Sequence, residues 1–442
     1  MKRLIITITL MSIINGTLCA QTINLEQARN HALASSRSLA RYELAIRSSV
    51  LDERNQLYSM LPSVSADVRA SAHYLRDFLF INPADTISAG ASLSITQILF
   101  QGGKSFIRKA ISEIATESVK KDALSEYYNV LDTVDSAFYT ALEAMAALEA
   151  EEFSLQASDL ALTIAQLRYE NGIINHGDYL RALAEKESRE NSCSKARYDL
   201  TLYLTRLKTI TGIQELANPE PVSFDAYEDA LLRFTKITNE EIDVLYGKLW
   251  QMITSQNPSL SKAVLNNQRA QRNHMLTGRD YSPVISATVF SADLNLVPGR
   301  NLSSGGGITL RGSIPVDFWV MSNRMESSRL SLDAAALDYI NAQSSLEQEL
   351  HNALVNIFTQ AGTVLSSRRS LEYTQRHFEY VMERYRLSQS SVSDLNEATS
   401  LYNTSRNNLN RASFTFLRGL SRLRSLCALE DESELLKILL EG

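Results

Sequence analysis

The sequence predicts a mainly α-helical fold with a small β part, built from two copies of a long coiled-coil hairpin. Three observations predict it. Steps of seven residues from Val134 give Val134, Ala141, Leu148, Leu155, Leu162 and Tyr169; the same steps from Leu350 give Leu350, Ile357, Val364, Leu371, Phe378 and Tyr385. Each pair is 216 residues apart, so a coiled-coil seam occurs twice and marks an internal duplication. Ahead of each run stand two segments that alternate apolar and polar residues, the period of a strand with one face of each kind. Finally, 17 Gly and 8 Pro in 442 residues are too few breakers for an all-β chain.

Residues 1–20 read as a secretory signal. Lys2 and Arg3 precede an apolar stretch from Leu4 to Ile14, and Leu18-Cys19-Ala20 is a cleavage site before Gln21. The apolar stretch is about half of the roughly 20 residues that a spanning helix needs. Leu18 stands where a lipid-anchored Cys19 would want a small residue. Loss of Lys2 and Arg3 takes the formal charge of -6 to about -8, which argues against a nucleic-acid partner. No later stretch is long and apolar enough to predict a membrane helix.

The first copy covers residues 21–213. A helix from Leu25 to Met60 stops at Pro62. Strands follow at about 63–74 and 88–99. In the first, Val64, Ala66, Val68, Ala70 and Ala72 oppose Ser65, Asp67, Arg69, Ser71 and His73; in the second, Ala89, Ala91, Leu93 and Ile95 oppose Ser92, Ser94 and Thr96. The loop between them holds Phe78-Leu79-Phe80-Ile81 and Asn82-Pro83. Gly102-Gly103 opens a helix that runs to Tyr169, where Asn171-Gly172 breaks it. A second helix starts near Asp178, a good N-cap, and ends at Thr211 before Gly212.

Residues 214–239, with Pro219 and Pro221, form a linker between the copies. The second copy covers 240–427, and 428–442 is a tail. It repeats the order: a helix from Glu240 to Gly278, strands at about 284–294 and 306–315, a long helix from Met321 to Tyr385, and a last one from Asp394 to Leu426. The loop between these strands holds Pro298 and Gly299.

Lengths constrain the assembly. The two long helices, about 67 and 65 residues, would each reach roughly 100 Å. Helices this long bury no compact core alone, so their seams must close against each other and against other chains. Each strand has the length that crosses a bilayer when tilted. Four strands cannot close a barrel, and an open edge cannot sit in lipid. The strands are therefore either a small soluble sheet or one chain's share of a barrel made by several subunits.

Chemistry is sparse. There is no phosphate-binding glycine loop, no Gly-x-Ser-x-Gly and no His-Glu-x-x-His, so the sequence predicts no enzyme, cofactor or catalytic residue. His176 has no Cys or His at ligand spacing, and no metal site is expected. Cys193 and Cys427 are a distant pair that predicts no disulfide.

Taken together, Leu61-Pro62-Ser63-Val64 where the first strand starts, Ile98-Leu99-Phe100-Gln101-Gly102-Gly103-Lys104 where the second ends, and the hairpin ends Arg168-Tyr169-Glu170-Asn171-Gly172 through Asp178 and Arg384-Tyr385 through Asp394-Leu395 resemble the TolC-like outer-membrane factor family. The resemblance spans nearly the whole mature chain. It implies a homotrimer whose four transmembrane strands per chain form an outer-membrane barrel in the lipid, continued by a periplasmic helical tunnel. A periplasmic adaptor (membrane fusion) protein and an inner-membrane transporter would dock at the tunnel tip, where Gly172, Asn171 and Ser388 lie. Residues 214–239 would be its equatorial region.

The family's tip constriction implies gate roles for Tyr385, Asp394 and Glu397, and by the repeat for Tyr169 and Asp178. The family's gate arginine falls on Ser390, and its tip glycine on Ser388 in the second copy. Val316-Asp317-Phe318-Trp319 replaces the glycine pair where the last strand ends. Asp67, Arg69 and His73 would line the barrel lumen.

Plainer readings stand beside these. Asp178 and Asp394 can serve as helix caps and Glu397 as first-turn charge favoured by the helix dipole, while Tyr169 and Tyr385 can simply pack. With Glu397 three residues after Asp394, both acids share a helix face, and three copies would make an acidic ring. The expected function is a passive outer-membrane exit duct of a tripartite efflux pump or type I secretion system. The alternative is a soluble periplasmic coiled-coil adaptor or scaffold, which would not need four bilayer-length strands.

Overall fold

The computed structural model describes residues 22–73, 86–213, 215, 218–291, 294–295 and 306–441. Residues 1–20, expected to be a secretory signal, and the loops carrying Phe78–Ile81, Asn82-Pro83 and Pro298-Gly299 lie outside them. The fold is the expected one, mainly helical and duplicated, with one small antiparallel sheet. Two compact units are distinguishable.

One unit comprises residues 38–126 and 254–348. It contains α2 (Arg37–Tyr58) from Ser38 on, β1 (Ser63–His73), β2 (Thr86–Phe100) and the start of α3 (Lys104–Glu170). From the second copy it holds α7 (Pro258–Gly278), β3 (Val284–Ser291), the two-residue β4 (Leu294–Asn295), β5 (Gly306–Ser313) and the start of α8 (Phe318–Arg386).

The strand order is β1-β2-β3-β5, all antiparallel. The register aligns Val64 with Ile95, Ile95 with Val289, and Val289 with Ile308. It also aligns Ser63 with Thr96, Thr96 with Thr288, and Thr288 with Thr309. Because side chains alternate across the pleat, one face is mainly apolar and the other mainly polar, with Phe290 on the polar side and Gln97 on the apolar one. The apolar face is not buried within the chain: Val64, Val68, Leu93, Ile95, Val289, Ile308 and Leu310 are all exposed. β1 and β5 are edge strands.

The other unit comprises residues 1–37, 127–253 and 349–442. It holds α1 (Leu25–Ser35), the rest of α3, α4 (His176–Thr211), α5 (Glu228–Phe234) and α6 (Asn239–Gln256) up to Ile253. The rest of α8, α9 (Val392–Leu426) and α10 (Glu432–Glu441) complete it. Heptad positions Val134, Ala141, Leu350, Ile357 and Val364 are buried as the seam requires. Around Asp135, which is fully buried, charge is packed with the core. Arg29 grips its carboxylate at 2.6 and 2.7 Å, Arg424 donates to it at 2.8 Å, and Ser421 bonds it at 2.5 Å. Beside this network Tyr227 donates to Glu432 at 3.0 Å, tying α10 to the α5 segment.

Several boundaries depart from the sequence reading. The first helix is broken at Ser36, whose backbone is extended; the Ser35 hydroxyl bonds the carbonyls of Ala32 and Thr211 instead of leaving the turn undisturbed. The helix expected over Glu240 to Gly278 is two, because Pro258 takes the first turn of α7 and Asn257 caps it. The linker carries α5, with Leu231 and Phe234 buried, and the tail carries α10, with Leu435 and Leu439 buried. Cys193 and Cys427 are both free and buried, and burial pushes the Cys427 thiol up to about 12.

Candidate gate at the hairpin ends

Both hairpin turns lie in the unit that holds α4 and α9, and their backbone is the same 216 residues apart. At the end of α3, Gly172 takes φ +69°, its N–H bonds Tyr169 O, and Ile173 N–H bonds Arg168 O at 2.8 Å. At the end of α8, Ser388 takes φ +61°, its N–H bonds Tyr385 O at 3.1 Å, and Gln389 N–H bonds Arg384 O at 2.7 Å. These are matching left-handed helix closures. Gly172 accepts the conformation freely; an added Cβ there meets no atom within 4 Å, so only its φ demands glycine. Asn171 is exposed and closes back on Leu167 O.

The helices that follow are capped one turn earlier than Asp178 and Asp394. Asn175 caps α4, accepting from Asp178 N–H at 2.9 Å, and Ser391 caps α9, accepting from Asp394 N–H at 3.1 Å. The two aspartates are thus the third residues of their helices and reach back to the caps. Asn175 Nδ2 donates to Asp178 at 3.0 Å, and Ser391 N–H donates to Asp394 at 2.9 Å, completing a capping box. That backbone donation, with the Ser391 hydroxyl, holds the Asp394 carboxyl below its usual range. Asp394 and Glu397 are both exposed, whereas Asp178 is half-buried.

The two tyrosines part company. Tyr385 has 0% exposure, and its hydroxyl donates to Ala161 O at 3.1 Å. Arg168, also buried, donates to Tyr385 O and lays its guanidinium 4.3 Å from the centre of the Tyr385 ring. Ala157, Ala165, Phe378, Met382 and Leu395 complete the cluster. Burial raises the Tyr385 phenol above its ordinary range. Tyr169 instead faces outward, stacked on Tyr179 at 5.4 Å and against His176 at 5.3 Å. Ser390, at the family's arginine position, only bonds Val381 O at 3.3 Å. The arginine beside Tyr385 therefore comes from the first copy. Arg168 precedes Tyr169 in sequence as Arg384 precedes Tyr385, but nothing in the sequence pairs Arg168 with the tyrosine of the other copy.

On the sheet, Asp67 and Arg69 are exposed and share the polar face with Arg311, which the sequence reading had not assigned to the lumen. His73 lies on β1, with its side chain outside the described residues. Among the described residues no cluster of His, Cys, Asp or Glu could hold a metal ion.

The chain thus combines duplicated helical hairpins with one small antiparallel sheet. The sequence matches the outer membrane efflux protein family over residues 28–213 and 249–428, and the chain belongs to that family. It is an outer-membrane efflux channel by family, placed in the outer membrane. No curated protein matches the sequence.

Among solved structures, the Campylobacter jejuni CmeC outer membrane channel is 16% identical with a TM-score of 0.75, covering 93% of this chain and 88% of that one. The outer membrane protein VceC of Vibrio cholerae is 12% identical with a TM-score of 0.72, covering 91% and 96%. The open state of the Neisseria gonorrhoeae MtrE outer membrane channel is 16% identical with a TM-score of 0.71, covering 92% and 89%. At these identities the likeness is one of fold.

Proposed function

We propose that three copies of this chain form a passive exit duct, fed by a periplasmic adaptor and an inner-membrane transporter of an efflux pump or type I secretion system. The observation that carries this reading is the sheet. Its apolar face is exposed and its two edge strands are open, which no bilayer tolerates in a single chain. Pairing β5 of one copy with β1 of the next would close the edges and place Asp67, Arg69 and Arg311 on a polar lumen. The long helices would continue that lumen into the periplasm. The hairpin turns, with Asn171, Gly172 and Ser388 at their tips, are the surface an adaptor would meet.

In this reading the duct is closed at rest by helix packing. The Arg168–Tyr385 contact holds the two hairpins of one chain together, and a partner opens the tip by drawing them apart. Tyr169 and Asp178 shape the first turn, while Asp394 and Glu397, exposed on one helix face, form an acidic mouth in the trimer. The mass of the detergent-solubilised protein tests the assembly: three chains are expected, and a detergent-free monomer would overturn it in favour of a periplasmic scaffold. Ion selectivity tests the mouth. Asp394→Asn with Glu397→Gln lowers cation preference if the acids line the path, and leaves it unchanged if they serve only α9.

A further inference from the structure

The apolar row of β5 does not stop where the sheet does. Ile308 and Leu310 lie on the apolar face, and the same every-second-residue spacing continues beyond the last sheet bond through Ile314, Val316 and Phe318. All five are exposed, and Trp319, at 73% exposure, follows in the first turn of α8. The row thus runs from the strand into the helix with nothing among the described residues burying it.

Position 318–319 is the counterpart of Gly102-Gly103 in the first copy. There the chain turns on two positive-φ glycines, and Lys104 pins the turn to Asp280 at 2.8 Å. Gly102 is held close to the Ser282 side chain, just before β3, for an added Cβ would lie 2.2 Å from it. In the second copy neither Phe318 nor Trp319 takes positive φ. An exposed aromatic pair has replaced a pinned turn. The other three junctions at this end of the sheet each carry an exposed aromatic: Tyr58 before β1, Phe100 at the end of β2 and Tyr281 before β3.

A row that is apolar along a membrane strand and ends in tryptophan matches the chemistry of the bilayer boundary, where an indole buries its ring and keeps its N–H wet. We propose that Phe318-Trp319 is a lipid anchor, seating the start of α8 at the headgroup level of the periplasmic leaflet. The anchor does by insertion what the glycine turn and the Lys104–Asp280 bridge do in the first copy. This rests on the reading of the sheet as membrane-spanning. Its occupant is the phospholipid surface, reached by continuity from the strand's lipid-facing row.

The chain has two tryptophans, so Trp250→Phe leaves Trp319 as the sole indole. The protein is reconstituted in vesicles of phosphatidylcholine brominated either high on the acyl chain or near its end. The expected result is loss of most Trp319 emission with the shallow bromines and little with the deep ones. The difference between wild type and Trp319→Phe gives the same reading if Trp250→Phe does not fold. Leu310→Trp, in a chain lacking both native tryptophans, reports on the sheet itself. If Leu310→Trp is quenched and Trp319 is not, the aromatic pair is covered by a second copy or faces water, and the anchor is overturned while the membrane sheet stands. If neither is quenched, the membrane reading of the sheet falls and the anchor with it.

Discussion

Tyr385 closes a heptad seam, yet its environment is set by a residue 217 positions away. Arg168 is buried against a carbonyl and a ring rather than a carboxylate, so its charge is offset by dipoles and the ring quadrupole. Such a charge-assisted bond contributes about 2 kcal/mol, and a neutral hydroxyl bond about 1 kcal/mol. Arg168→Ala is therefore expected to lower the thermal midpoint more than Tyr385→Phe, and a calorimetric comparison of the two checks the order.

Asp394 makes a second residue-scale prediction. Its folded carboxyl titrates below its unfolded value because Ser391 donates to the ionised form. Its contribution is therefore present above the unfolded pKa and lost as pH falls through the lowered folded one. In wild type the α9 cap should weaken only under strongly acid conditions. Asp394→Asn should remove that pH dependence, as followed by hydrogen exchange at the amides of the first turn of α9.

At the scale of elements, the duplication is clearest at the helix ends. Among the described residues, left-handed positions occur at Gly172 and Ser388 and at Gly212 and Ala428, each pair 216 apart, with glycine only in the first copy. The second copy keeps the turn and bears the strain of a Cβ. Ser388→Gly should relieve about 1 kcal/mol, partly offset by the greater freedom of the unfolded chain. A rise of about 1 °C or less in thermal midpoint, set against a fall for Gly172→Ala, would bear this out.

The elements also show what was legible. Seven-residue steps exposed both long helices, and alternation exposed the strand faces, because those periods are local. The break at Asn257-Pro258 was written in the sequence as a cap followed by a first-turn proline, but the helical period on either side masked it. The caps at Asn175 and Ser391 were hidden behind Asp178 and Asp394, since each capping pair reads as two candidate caps three residues apart. The Arg168–Tyr385 contact could not be read at all, because packing between the copies leaves no period in either one.

For the molecule as a whole, the buried network around Asp135 joins segments from both copies and both ends of the chain. Asp135→Ala would leave the buried Arg424 and the half-buried Arg29 without their carboxylate, and such a loss costs about 3–5 kcal/mol. Chemical denaturation should find this variant far less stable than one lacking an exposed helix pair such as Arg376–Glu372, which contributes about 0.3–0.5 kcal/mol.

The central claim is a duct held shut by packing between the hairpins of each chain. Single-channel recording in a planar bilayer, comparing wild type with the Arg168→Ala/Tyr385→Phe double variant, tests it most directly. The account predicts discrete channels from both proteins, with a clearly larger conductance in the variant. Channels of equal conductance would contradict closure by this contact, and no channels from either protein would contradict the duct.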